Sequence, residues 1–164
     1  MEETLDLIEE FTHLIEPDPD NSKLHYLIRG TARAKILDYS GAIEDFTKSI
    51  DRNPNDLTIY VRLGALKIET DDFRGAINDL TCAINIDPLH SWSYLHRGIA
   101  KMGVIDYLGA HQDICKAIKI EPEFAEAYYA RGRLRIEFGQ YEAGNLDLNK
   151  ASELGLFEAS HAMH

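Results

Sequence analysis

The 164-residue sequence predicts an all-α chain: an α-solenoid of four 34-residue helix-turn-helix repeats behind an N-terminal capping helix. Three observations predict it. Pro54, Pro88 and Pro122 stand 34 residues apart. At the same period Gly30, Gly64, Gly98 and Gly132 fall into register, as do Tyr26, Tyr60, Tyr94 and Tyr128. A second aromatic series (Tyr39, Phe73, Tyr107, Tyr141) and an acidic one (Asp45, Asp79, Asp113, Asp147) keep the same step. Five columns on one period leave little room for chance.

Residues 1–22 are read as a capping helix and turn, with a helix over 3–16 presenting Leu5, Ile8, Phe11 and Ile15 on one face and stopped by Pro17 and Pro19. The repeats follow at 23–56, 57–90, 91–124 and 125–158, and 159–164 form a tail. Within each repeat two stretches carry helical periodicity. The first helices are expected near 24–37, 57–70, 91–104 and 125–138, and the second near 40–52, 73–86, 107–120 and 141–154. At about 14 residues each helix is roughly 21 Å long.

Asp38, Asp72 and Asp106 stand where second helices begin, and a short acidic side chain there satisfies free N–H groups. The proline after each second helix disfavours helical geometry at the residue before it, which ends the helix. Gly30 and its equivalents, with Ala42, Ala76 and Ala110, leave room for two helices to approach closely. At positions that would cover a following repeat, Ile43 and Ile50, then Ile77 and Ile84, give way to His111 and Ile118, then to Asn145 and Ser152. A polar face there is what the last unit of a stack requires.

The columns Tyr26, Gly30, Ala32, Tyr39, Ala42, Phe46, Ser49 and Pro54, with like residues in the later units, resemble the tetratricopeptide repeat family over about residues 23–156. The fourth unit departs most, with Ala143-Gly144 where the others read Gly-Ala and Leu156 in place of proline. The resemblance implies a non-enzymatic interaction scaffold. Its stacked first helices would line a concave groove for a peptide or helix of a partner protein. Carried over residue by residue, Leu24, Leu27 and Thr31 would line one end, with Val61 and Ala65 next. Trp92, Leu95, Ile99 and Met102 would continue it, and Tyr129 and Arg133 would finish it. Members that clamp acidic chaperone C-termini use Lys, Asn and Arg at positions that here hold Leu27, Thr31, Arg62, Trp92 and His96, so that specialisation is not expected.

Composition narrows the partner. The formal net charge is −11, which disfavours nucleic acid and anionic membrane surfaces and favours an apolar partner with some basic character. No run of about 18 apolar residues occurs, and the N-terminus is acidic where a secretory signal is basic, so a cytoplasmic protein is expected. Self-assembly through the terminal helices, as in a homodimer, is the alternative reading.

Nothing in the sequence forms a catalytic, cofactor-binding or metal constellation. His161 and His164 are three apart but have no cysteine or HExxH partner. Cys82 and Cys115 sit within amphipathic patterns and read as buried thiols. Arg29 with Arg33, Lys67, Arg97 with Lys101, and Arg131 with Arg135 lie on first helices and face the acidic column of the second helix. They are read as an ion-pair network tying the two helices of each repeat, rather than as a site.

Overall fold

The computed structural model describes residues 2–15 and 23–156. The described residues form nine helices and no strands, in two compact units, residues 1–86 and 87–164. The first unit holds α1 (Glu2–Ile15), α2 (Lys23–Lys35), α3 (Tyr39–Arg52), α4 (Leu57–Glu69) and α5 (Phe73–Ile86). The second holds α6 (Ser91–Gly103), α7 (Tyr107–Ile120), α8 (Ala125–Glu137) and α9 (Tyr141–Glu153). From α2 onward every helix begins and ends within two residues of its expected place. Pro17, Pro19, the C-terminal histidines and the tail lie outside the described residues.

The helix ends explain themselves. Each first helix stops at a left-handed residue in the same register: Leu37 (φ 64°), Asp71 (59°), Ile105 (66°) and Gly139 (72°). The next N–H then reaches back five residues, from Asp38 to the Arg33 carbonyl at 3.0 Å, and likewise from Asp72, Asp106 and Gln140. This closure satisfies carbonyls that the helix end leaves free. The residue that makes it also opens the second helix. Asp38, Asp72 and Asp106 each accept a hydrogen bond from the backbone N–H of Gly41, Gly75 and Gly109 at 3.0 Å. Gln140 makes no such side-chain cap on α9.

Each unit has its own apolar core. In the first, Ala42 and Phe46 of α3 pack with Ile59, Leu63 and Leu66 of α4. In the second, Leu95 joins Ala110, Ile114 and Ala117 of α7 with Phe124, Ala127 and Leu134. The paired helices approach as closely as their glycines allow. A Cβ on Gly30 would lie 2.9 Å from two ring atoms of Phe46, and one on Gly64 would lie 2.5 Å from Leu80 Cγ.

The charged columns form the expected network. Asp45 accepts from Arg29 Nε (2.9 Å) and Nη2 (2.6 Å), and from Arg33 Nη1 (3.0 Å). Asp113 holds Arg97 and Lys101, and Asp147 holds Arg131 and Arg135, all at 2.8 Å. In α4 the first basic position is Leu63, and Asp79 is left with Lys67 alone at 2.7 Å. The bonds to their aspartates raise Arg29, Arg97 and Arg131 above the ordinary guanidinium value, so these groups stay charged wherever the chain is folded.

Two expectations need correction. Leu5 is 48% exposed, so it does not belong to the contact face of α1. The side of α1 with Phe11, Thr12 and Ile15 faces α2 instead: the Phe11 ring lies 5.6 Å from that of His25, and Thr12 Oγ1 accepts from Arg29 Nη1 at 3.1 Å. Cys115 on α7 serves Arg131 in the same way, with Sγ 3.6 Å from Nη1. Helix α1 thus does for α2 what α7 does for α8. Both cysteines are free and half-buried rather than buried, and Cys115 Sγ faces the polar side chains of Arg131 and His111.

Candidate partner-binding clefts

Two open clefts lie beside first helices, one in each unit. In the second unit, Ile99 and Met102 of α6 face Tyr129, Arg133 and Ile136 of α8 across a cleft of about 520 Å³. Position explains the pattern: residues 99 and 102, and 129, 133 and 136, follow helical spacing and share a face on their own helices. Arg133 is held along the wall, with Nη1 donating to Tyr129 Oη at 3.2 Å and the guanidinium 5.9 Å from that ring. The cleft is therefore apolar along its length, with the Arg133 guanidinium and Glu137 at its margin.

In the first unit, Leu27, Ile28 and Thr31 of α2 line a cleft of about 610 Å³ that Arg62 of α4 closes on one side. Thr31 Oγ1 donates to the Leu27 carbonyl at 2.8 Å, so its methyl group is the part left for contact. The opposite wall was not foreseen. Thr4 and Leu7 of α1 form it, so α1 shapes the cleft as well as capping α2. Their three-residue spacing lay outside the apolar stripe, which is why the sequence pattern did not expose them.

The remaining site residues scatter. Leu24 is 60% exposed, and Val61 and Ala65 are half-buried without lining either cleft. Trp92 is 39% exposed and stands at a separate pocket with Phe124. Leu95 is only 2% exposed and belongs to the core, so it cannot line a surface groove. The physical reason is Phe124, itself 2% exposed, which packs in the same core cluster from the α7–α8 turn. The corresponding positions before α4 and α6 hold Asp56 and His90. Among the described residues, no group of three or more His, Cys, Asp or Glu could hold a metal ion, and no helix is long and apolar enough to cross a membrane.

His96 lies beside Trp92, ring centroids 5.6 Å apart and planes 29° from parallel. Burial, and then the neighbouring His90, hold its pKa below the ordinary histidine value. His111 is lowered too, by burial and then by Arg135 and Arg131. The unfolded chain therefore binds more protons than the folded one as pH falls through this window. The stability linked to neutral His96 is complete above about pH 6.5 and is lost on acidification toward its folded pKa. His96→Phe is expected to melt with a shallower loss of Tm between pH 7.5 and pH 5.5 than the wild type. Parallel Tm profiles would contradict it.

No family model matches the chain, and no curated protein does. Solved structures do. The TPR domain of Arabidopsis OM64 is 30% identical, covers 70% of this chain and 94% of its own, and has a TM-score of 0.67. A crystal structure of MamA is 24% identical, covering 96% of this chain and 90% of its own, with a TM-score of 0.82. YrrB, a TPR protein with an unusual peptide-binding site, is 17% identical, covering 98% and 84%, with a TM-score of 0.81. At the two lower identities the likeness concerns the fold alone.

Proposed function

The chain belongs to the tetratricopeptide repeat family, and from that premise we propose that it is a non-enzymatic scaffold that holds a peptide or helix of a partner protein against its first helices. The supporting observation is the α6–α8 cleft, where Ile99, Met102, Tyr129 and Ile136 leave apolar surface open beside a positioned Arg133. Such a surface suits an apolar segment whose polar groups reach the rim. The peptide-binding site of YrrB is a property of that protein, and it supports the same use of this fold here.

The test is selection of displayed peptides on the wild-type chain, followed by Met102→Glu, on a half-buried side chain that packs against the outside of the core, in a variant whose circular dichroism and Tm show it still folded. Selected peptides are expected to bind at least about tenfold more weakly to Met102→Glu, the loss of one hot-spot contact. Binding unchanged by Met102→Glu would remove the cleft from the proposal. Leu95 is unsuitable as a probe because its replacement would disturb the core.

A second reading, self-assembly through the terminal helices, draws support from exposed Leu5 and Leu14 on α1 and Leu146 on α9, the last 70% exposed. A sedimentation profile that is monomeric at high concentration would dismiss it.

A further inference from the structure

We propose that the pocket at Trp92 is a subsite for a cationic side chain, lysine or arginine, of the bound peptide; this rests on the scaffold reading above. The pocket, about 330 Å³, is built from Trp92 at the start of α6, the α7–α8 turn with Glu121, Glu123 and Phe124, Glu126 in the first turn of α8, and residues 154–156 after α9. The indole is fixed rather than loose. Its ring centroid lies 4.7 Å from that of buried Phe124, with planes 60° apart, and His96 stacks beside it. The remaining surface, 39% of the residue, is open.

Several carboxylates of the paired helices are compensated. Asp45, Asp79, Asp113 and Asp147 each hold a cation, and Glu44 and Glu153 pair with lysines along their own helices. Glu121, Glu123 and Glu126 make no ion pair among the described residues. Glu121 accepts only the Ser91 hydroxyl, at 2.5 Å, which pins its carboxylate across the pocket. The equivalent turn before α4 carries Asn53, Asn55 and Thr58, and that before α6 carries Asp87, Leu89 and Trp92, so of these turns only the α7–α8 turn has three acids at these positions.

A part-exposed indole beside carboxylates without ion pairs matches one kind of side chain. Its methylene stem lies on the ring and its charged head meets the acids. A bare divalent ion fits less well, since the acids do not converge into a coordinating group. Anionic partners are repelled.

Trp92 is the only tryptophan, so its fluorescence reports this pocket directly. The full chain would be titrated with hexa-arginine, hexaglutamate and calcium chloride. A saturable, salt-sensitive change with hexa-arginine alone is expected. Glu121→Gln/Glu123→Gln/Glu126→Gln should weaken it at least fivefold. A control triple of equal charge on exposed sites, Glu9→Gln/Glu10→Gln/Glu142→Gln, should weaken it less than twofold. Trp92→Leu, followed by calorimetry, should lose as much as the pocket triple. Equal weakening by both triples would reduce the effect to net charge and overturn the proposal, as would a response to calcium that the pocket triple abolishes. Met102→Glu should leave hexa-arginine binding intact, so failure of the α6–α8 cleft and failure of this pocket are read separately.

Discussion

Asp45→Ala is expected to lower the unfolding free energy by about 3–5 kcal/mol, the cost of breaking a buried ion pair from one side. The carboxylate is fully buried and takes three hydrogen bonds from two arginines, at 2.6, 2.9 and 3.0 Å. Arg29 is itself 8% exposed and uses its third nitrogen, Nη1, on Thr12, so swinging into water would break its bond to α1 as well. Removing Asp45 therefore leaves a desolvated guanidinium with no counter-ion. The chain contains its own comparison. Beside Asp79 the first arginine position is Leu63, and a single Lys67 supplies the pairing, with side chains 17% and 20% exposed. Asp79→Ala should cost only about 1.5–3 kcal/mol, in the range of one hydrogen bond to a charged group. Urea unfolding of the two variants decides it. Equal losses would mean that the arginines of the other pairs add nothing to stability.

Phe46→Ala should be of similar size, about 3–5 kcal/mol, through lost burial and the cavity left behind. Phe46 is 1% exposed, packs with Ile59 and Leu63, and lies directly under Gly30. That last contact gives a sharper test than the loss itself. Gly30→Ala in the wild-type background would push a methyl to 2.9 Å from the ring and should destabilise by about 1–3 kcal/mol. In the Phe46→Ala background the ring is gone and Asp45 Cβ, at 3.1 Å, is the nearest remaining neighbour. There the higher helix propensity of alanine, about 0.8–1 kcal/mol over glycine, should offset much of the remaining crowding, so that the same change costs markedly less. The difference should appear as a coupling term in a double-mutant cycle. Additive effects would show that Gly30 is not set by its clearance to Phe46.

The same closeness explains how far the sequence could be read. Contacts between paired helices recur every 34 residues, so each is visible as a column: Gly30 against Phe46, Gly64 against Leu80, Arg29 against Asp45. A demand repeated along a chain leaves a repeated residue. The capping aspartates were legible for the same reason. The left-handed turn residue was not, since Leu37, Asp71, Ile105 and Gly139 share a conformation but no side-chain chemistry. Backbone hydrogen bonding imposes that geometry, and it tolerates an exposed leucine as readily as a glycine once the helix end is closed.

The sequence by itself determined the all-helical class, the bounds of the paired helices and the aspartate-centred ion pairs. What only the tertiary structure decided was which residues of the first helices remain open. Helical periodicity assigns a side chain to one side of its helix, but exposure depends on what the next turn places over it. Leu95 and Trp92 are three residues apart on one face of α6, yet Leu95 lies in a core shared with Phe124 while Trp92 keeps open surface beside that same ring. Thr4 and Leu7 became a cleft wall only because α1 folds beside α2. Burial is a relation between elements, and a column of the sequence records one element at a time.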